Sequence, residues 1–124
     1  MDYENSEIQV NIHALGVRYI CDFLDRAGFT IQEVNTDPDH HFQLLAKTNN
    51  KAFLIAVRTD YYPDIGTIDS ATQEQLIRES ERLNSIPHFA GLTATPLDTN
   101  DIEVDGLTEE RGYKFTFYGM TVVH

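Results

Sequence analysis

The segment Ala52-Phe53-Leu54-Ile55-Ala56-Val57 places apolar residues on both alternating faces of an extended chain, and the rest of the fold is arranged around it. A strand of this kind must be covered on both sides, so we expect residues 52–59 to form the central strand of a sheet. The preceding turn, Thr48-Asn49-Asn50-Lys51, is short enough for a hairpin, since asparagine tolerates the positive φ of tight turns. A strand over residues 42–47 should therefore pair with the central strand in antiparallel orientation.

A helix and a first strand precede this hairpin. Apolar or small residues recur at helical spacing between Asn11 and Gly28, where Asn11 is a suitable N-cap and Gly28 a suitable left-handed terminator. Residues 29–34 are predicted to form the first strand, which a turn-forming stretch, Asn35-Thr36-Asp37-Pro38-Asp39, separates from the second. Residues 1–10 are expected to form an acidic N-terminal tail.

A second helix and a fourth strand follow the central strand. The capping-box pattern Ser70-Ala71-Thr72-Gln73 opens a helix that is predicted to run to about Asn84. Pro87 ends the helical pattern, and residues 89–95 are rich in the small and β-branched residues of a strand.

The last strand is predicted from aromatic alternation. After an acidic, turn-rich segment over residues 96–112, Tyr113, Phe115 and Phe117 recur with strand periodicity, and Gly119 indicates a bulge. The order is therefore helix, three strands, helix, two strands. It predicts a single α/β domain over residues 11–124, a three-layer sandwich with a mixed central sheet of about five strands.

Charge and cysteine content restrict the environment and the partners. Twenty acids against nine bases give a net charge of −11, which repels phosphate, so a nucleic-acid partner and a membrane are disfavoured. The single cysteine, Cys21, excludes an intramolecular disulfide and a cysteine-based zinc site. The N-terminus has no apolar secretory segment, and we expect a cytoplasmic protein.

A family resemblance follows from the joint spacing of several segments. These are a helix end, a proline-aspartate pair, an apolar strand closed by a cation, and a later strand: Phe23-Leu24-Asp25-Arg26-Ala27-Gly28-Phe29, Pro38-Asp39, Leu54-Ile55-Ala56-Val57-Arg58 and Phe89-Ala90-Gly91-Leu92. Together they resemble the PD-(D/E)XK nuclease-like superfamily, or restriction-endonuclease-like fold. The resemblance implies that Asp39 and an acid of the third strand hold Mg²⁺, while a lysine two residues later positions or activates water.

The motif is degenerate in this chain. Ala56 stands where the resemblance places the acid, and Arg58 stands where it places the lysine, so Asp39 and Arg58 are the candidate catalytic residues. A single carboxylate binds Mg²⁺ poorly. Arginine stays protonated and therefore cannot accept a proton from water. We therefore expect no metal and no cofactor. The alternative is that another element supplies the missing ligand for Mg²⁺ or Mn²⁺, with these candidates: Glu33, Gln43, Asp60, Gln73 and Glu74.

Two further groups of side chains are candidates for binding. Tyr61 and Tyr62 follow the central strand and could bind substrate by stacking on a base or lining a peptide groove; alternatively one ring packs on the sheet and the other is exposed. His40 and His41 neighbour Asp39, but adjacent strand residues point to opposite faces, so only one could join its site.

Three functions remain open at this point. The first is a catalytically inactive binding or assembly module, with a protein partner or a second copy, in a homodimer formed along the last strand if that strand is a sheet edge. The second is an active metal-dependent nuclease with a migrated carboxylate. The third is a small acidic protein similar to secretion chaperones, which a purely antiparallel sheet would favour.

Overall fold

The computed structural model describes the backbone of residues 2–96 and 112–124, and the side chains of residues 12–96 and 112–124. In this part of the chain two helices and five strands follow one another in the predicted order: α1 (Asp2–Arg26), β1 (Thr30–Val34), β2 (Leu44–Thr48), β3 (Lys51–Tyr61), α2 (Ser70–Arg82), β4 (Ile86–Pro96) and β5 (Tyr113–Val122). The acidic segment predicted over residues 96–112 lies almost entirely outside the described residues.

The five strands form one mixed sheet in the order β1-β2-β3-β4-β5. The pairs β1/β2, β2/β3 and β4/β5 are antiparallel, whereas β3 and β4 are parallel and joined through α2. The prediction that residues 52–59 lie in the central strand is confirmed. A purely antiparallel sheet would favour the chaperone-like alternative. Because β3 and β4 are parallel, the sheet does not support that alternative.

The sheet is covered on both faces, as the apolar character of β3 requires. Ile55 and Val57 lie in the core beneath α1, where Ile12, Ile20 and Leu24 are fully buried. The alternating residues of β3 lie in a second core beneath α2, which contains Leu54, Ala56 and Leu76. The three-layer sandwich is therefore confirmed, and one strand contributes to both of its cores.

The two local features predicted for turns and bulges are present. Asn49 and Asn50 adopt positive φ values of 50° and 65°, and Thr48 pairs with Lys51 across this two-residue hairpin. Gly119 has a φ of 90° where the β4/β5 register shifts. A positive φ costs glycine little, so the extra residue of β5 is accommodated at that position.

The start of the first helix differs from the prediction. α1 begins at Asp2, so residues 2–10 are helical rather than a tail, and Asn11 lies within the helix instead of capping it. No glycine or proline occurs before Gly16, and nothing in the sequence therefore stops the helix from continuing toward the N-terminus. None of the helices that the structure describes is long and apolar enough to cross a membrane.

Candidate functional site

The predicted catalytic residues meet at the end of the sheet where β2 begins. Asp39 lies in the loop between β1 and β2, and Arg58 lies on β3. Burial lowers the pKa of the Arg58 guanidinium, and the nearby carboxylates of Asp69 and Asp39 act in the opposite direction. Arg58 also donates to the carbonyl of His40, the residue after Asp39, so the two predicted residues lie near each other; a catalytic role for them stays a prediction.

The loop that carries Asp39 is held by its own short side chains. The Asn35 side-chain oxygen accepts the Asp37 backbone N–H at 2.8 Å, and the Asp37 carboxylate accepts the Asp39 N–H at 2.9 Å. These are the local turns that asparagine and aspartate favour. The Asp39 side chain itself is exposed at the tip of this loop.

Gln43 joins this loop to the central strand. Its side chain is fully buried, and its Oε1 accepts the Val57 backbone N–H and the Arg58 guanidinium, each at 2.7 Å. Its Nε2 donates to the backbone carbonyls of His40 at 2.8 Å and Asp37 at 3.3 Å. The sequence places Gln43 among the sources of a missing metal ligand, but both ends of its amide are engaged inside the protein.

Arg58 is likewise engaged by internal acceptors. One guanidinium nitrogen donates to Gln43 Oε1 and to the Val57 carbonyl at 3.0 Å, and the other donates to the His40 carbonyl at 3.1 Å. Within residues 12–96 and 112–124, no carboxylate lies within ion-pair distance of this group. In the structure, Arg58 therefore holds the β1–β2 loop against β3.

Ala56 occupies the position that the resemblance gives to a metal-binding acid. Its side chain has no solvent exposure and lies in the α2 core with Leu54, Leu76 and Val123. A carboxylate at this place would be surrounded by apolar side chains, an environment that strongly disfavours its charge. An alanine at this position, in place of the acid that the resemblance implies, is thus consistent with the packing of the second core.

His13 is a member of the site that the sequence does not single out. It lies on α1, is only 4% exposed, and its Nε2 has no hydrogen-bond partner. Burial and the positive charge of Arg58 lower its pKa to about 4, against the opposing effect of Asp37 and Asp39. One feature of the sequence could have indicated that His13 faces the sheet. It lies on α1 one helical turn before Gly16, and Gly16 itself faces the sheet.

At Gly16, α1 lies directly against the central strand. A Cβ atom at this position would lie 2.0 Å from the hydroxyl oxygen of Thr59, so a larger residue would force the Thr59 side chain to move. That hydroxyl is buried and, like His13 Nε2, has no partner. Two unsatisfied polar atoms therefore lie between α1 and β3 beside the loop that carries Asp39.

The connection from β3 to α2 folds back over the same end of the sheet. A Cβ atom at Gly66 would lie 2.1 Å from the backbone oxygen of Arg58, and the Gly66 N–H donates to the Leu92 carbonyl at 3.1 Å. The connection ends at Asp69, whose carboxylate caps α2 by accepting the Thr72 N–H at 2.7 Å. These contacts bring Asp69 close to Arg58.

Tyr61 and Tyr62, the candidate substrate-binding residues, have different surroundings. The Tyr61 ring lies 5.9 Å from the ring of Tyr113 and their hydroxyl oxygens are 3.4 Å apart, while Tyr62 is 67% exposed. Burial and the Tyr113 hydroxyl raise the pKa of Tyr61. The two rings thus do not form a shared stacking platform, and a role in binding stays a prediction.

The other candidate ligands are dispersed. Asp60 accepts the Tyr61 backbone N–H, Gln73 donates to the His124 carbonyl, Glu74 pairs with Arg78, and Glu33 is exposed on β1. The His40 and His41 rings stack at 4.6 Å. Across the described part of the chain, no three histidine, cysteine, aspartate or glutamate side chains are grouped so that they could hold a metal ion.

Comparison with known proteins places the chain in a family. The family model described as a domain of unknown function, DUF8840, matches residues 10–123. No curated protein matches the chain. Among solved structures it is similar to Hjc, a Holliday junction resolvase from the archaeal hyperthermophile Archaeoglobus fulgidus, with a TM-score of 0.49 and 18% identity over 82% of this chain and 73% of that chain.

Proposed function

The chain belongs to the DUF8840 family of domains of unknown function, and from this premise we propose that it is a catalytically inactive protein of the PD-(D/E)XK nuclease-like fold that acts as a binding or assembly module. The order α1-β1-β2-β3-α2-β4 is the order on which the resemblance rests. The approach of Asp39 to Arg58 at one end of the sheet further supports it.

The main support for the proposal comes from the surroundings of the Ala56 and Arg58 side chains. The first is buried in an apolar core, and the second donates to three acceptors within the protein. Neither position offers a group that could ligate Mg²⁺ or accept a proton from water, since arginine remains protonated. Metal-dependent cleavage would therefore depend on Asp39 with ligands from elsewhere.

The alternative of an active nuclease needs such ligands close to Asp39. Of the acidic residues near Arg58, Asp69 has its carboxylate engaged in capping α2. Asp37 has a carboxylate oxygen engaged by the Asp39 N–H. No metal-binding group of three forms among the side chains that the structure describes. We therefore favour the inactive module over the nuclease.

The distribution of basic residues favours a protein partner over a nucleic acid. Lys51 begins β3 and Arg58 lies seven residues further on, about 23 Å along the strand, so these cations do not form one patch. Several other cations are paired with acids one helical turn away: Arg26 with Asp22, Arg78 with Glu74, and Arg82 with Glu79. Against a net charge of −11, this arrangement offers phosphate little attraction.

The test is a cleavage assay on single-stranded, double-stranded and branched DNA with Mg²⁺ or Mn²⁺. The wild-type protein, Asp39→Asn and the control Asp22→Asn are purified identically and compared at equal concentration. We expect no cleavage above buffer from any of them, and no heat of Mn²⁺ binding in calorimetry.

Cleavage that is present in the wild type and in Asp22→Asn but absent from Asp39→Asn would overturn the proposal. It would show that Asp39 holds a metal with ligands supplied by another element. Cleavage present in all three proteins at the same rate would come from a source other than a metal site at Asp39. Asp22 serves as the control because it lies on an exposed part of α1 and forms only a surface ion pair with Arg26.

A further inference from the structure

We propose that the partner of this module is a second copy of the chain, bound edge to edge through β5. The inference rests on the proposed binding role and names the partner. We call the outer edge of β5, together with the side chains of Tyr19, Phe23, Phe117 and Tyr118, the β5 surface. Pairing of two β5 strands across a two-fold axis would extend the sheet of one copy into that of the other.

The position of β5 provides the backbone for such pairing. It is the last strand of the sheet and pairs only with β4 within residues 2–96 and 112–124, so none of these residues pairs with the N–H and C=O groups on its other side. It spans ten residues, Tyr113–Val122, and its first half precedes the bulge at Gly119. The opposite edge differs in length and charge: β1 has five residues, including Glu33. Short, charged edges resist pairing, whereas long ones invite it.

Aromatic side chains continue this edge onto α1. The Phe23 ring lies 5.0 Å from the ring of Phe117, and the Tyr19 ring lies 6.5 Å from it, so helix and strand form one aromatic surface. Phe23 remains 44% exposed and Tyr19 37% exposed. On the strand itself, Tyr118 is 55% exposed. Apolar rings beside a strand edge are typical of a surface that becomes buried on association.

Charge distribution favours a second copy as the occupant. The final segment, residues 113–124, contains no aspartate or glutamate and one lysine, although the chain carries twenty acids and a net charge of −11. Two identical, strongly acidic molecules repel each other on most approaches. Approach through β5 brings together two copies of this segment without acidic residues, which lowers the repulsion along the paired strands.

The test measures mass in solution, without nucleic acid or metal, so that its result is independent of the cleavage assay. At about 100 µM, sedimentation equilibrium should give the wild type a mass of about 28 kDa, twice the 14.1 kDa of the chain. The variant Tyr118→Glu should sediment as a monomer, because it introduces a negative charge in each copy at the most exposed ring of the β5 surface. The matched control is Val34→Glu, on the β1 edge, where Val34 is 51% exposed; it should remain a dimer.

A second variant distinguishes two-fold pairing from loss of folding. Tyr118→Lys alone should also be monomeric, whereas an equimolar mixture of Tyr118→Lys and Tyr118→Glu should recover the dimer mass, since the two β5 surfaces then carry opposite instead of like added charges. Each variant is checked by circular dichroism and thermal unfolding.

Three results would overturn the proposal: a monomeric wild type, equal loss of the dimer in Val34→Glu and Tyr118→Glu, or folded Tyr118 variants that stay monomeric when mixed. A dimer that cleaves DNA through Asp39 would refute catalytic inactivity and leave the β5 surface standing. A monomeric wild type that cleaves no DNA would refute dimerisation through the β5 surface and leave the proposed catalytic inactivity unaffected.

Discussion

Acidification should destabilise this protein through His13, whose buried imidazole is neutral in the folded state. Its pKa falls from the ordinary value of 6.5 to about 4 because of burial and the positive charge of Arg58. Between these two values the unfolded chain binds a proton that the folded protein does not. The free energy of unfolding therefore decreases as the pH falls through this range, and the contribution of His13 is complete only above the unfolded pKa.

The magnitude follows from the two pKa values. For a single group with these two pKa values, proton linkage lowers the free energy of unfolding by about 2 kcal/mol between about pH 7 and pH 5. By about pH 4 the decrease reaches about 3 kcal/mol. The small exposure of His13, 4%, means that solvent screens this group weakly. Burial also lowers the pKa of His41, which acts in the same direction, so the wild-type curve alone does not isolate His13.

The assay is urea unfolding of the wild type and of His13→Leu at several pH values in this range. Leucine has similar volume and forms helix well, and it removes the unpartnered Nε2. The difference in unfolding free energy between the two proteins should shift by about 2 kcal/mol in favour of the variant between about pH 7 and pH 5. The matched control, His124→Gln, replaces an exposed histidine and measures the effect of a histidine substitution outside the core. A difference between His13→Leu and the wild type that is independent of pH would refute the reasoning.

Other substitutions test the contacts around the site. Gln43→Leu should lower the free energy of unfolding by about 3 kcal/mol, because a buried backbone N–H and the Arg58 guanidinium lose their shared acceptor; a loss below about 1 kcal/mol in urea unfolding would contradict this. Gly66→Ala should cost about 2 to 3 kcal/mol in thermal unfolding, since its methyl group meets the backbone oxygen of Arg58, while Gly28→Ala, in open space at a φ of 94°, should cost only about 1 kcal/mol. Thr59→Val should stabilise the protein by about 1 kcal/mol by removing a buried hydroxyl without a partner, and an unchanged or lower unfolding midpoint would show that this hydroxyl is satisfied in solution.

The fold was predictable from local rules to a large extent. The two apolar faces of Ala52 to Val57 predict a covered central strand, and the structure buries those faces in two separate cores. The Asn49-Asn50 turn and the bulge at Gly119 are correct because both depend on the φ preference of one or two residues. The start of α1 was wrong because Asn11 can cap a helix but does not by itself end the helix that precedes it.

The candidate site was predictable only in part. The resemblance brings Asp39 and Arg58 together, and both lie at the same end of the sheet. It does not indicate His13, which is distant in sequence from both. Nor does it show that the Gln43 amide binds Arg58 and the Val57 N–H instead of facing a ligand. The orientation of a buried polar side chain depends on neighbours from several elements, and sequence periodicity contains no information about them.

The order of the elements, the central position of β3, its hairpin with β2 and the strongly acidic charge can all be predicted from the sequence, because each depends on the properties of neighbouring residues. Which polar groups lie together at the end of the sheet, and which of them have hydrogen-bond partners, depends on the tertiary packing. His13, Gln43 and Arg58 belong to three elements and meet through packing. Their hydrogen bonds and pKa values depend on distances that exist only after α1 and the β1–β2 loop have closed on β3.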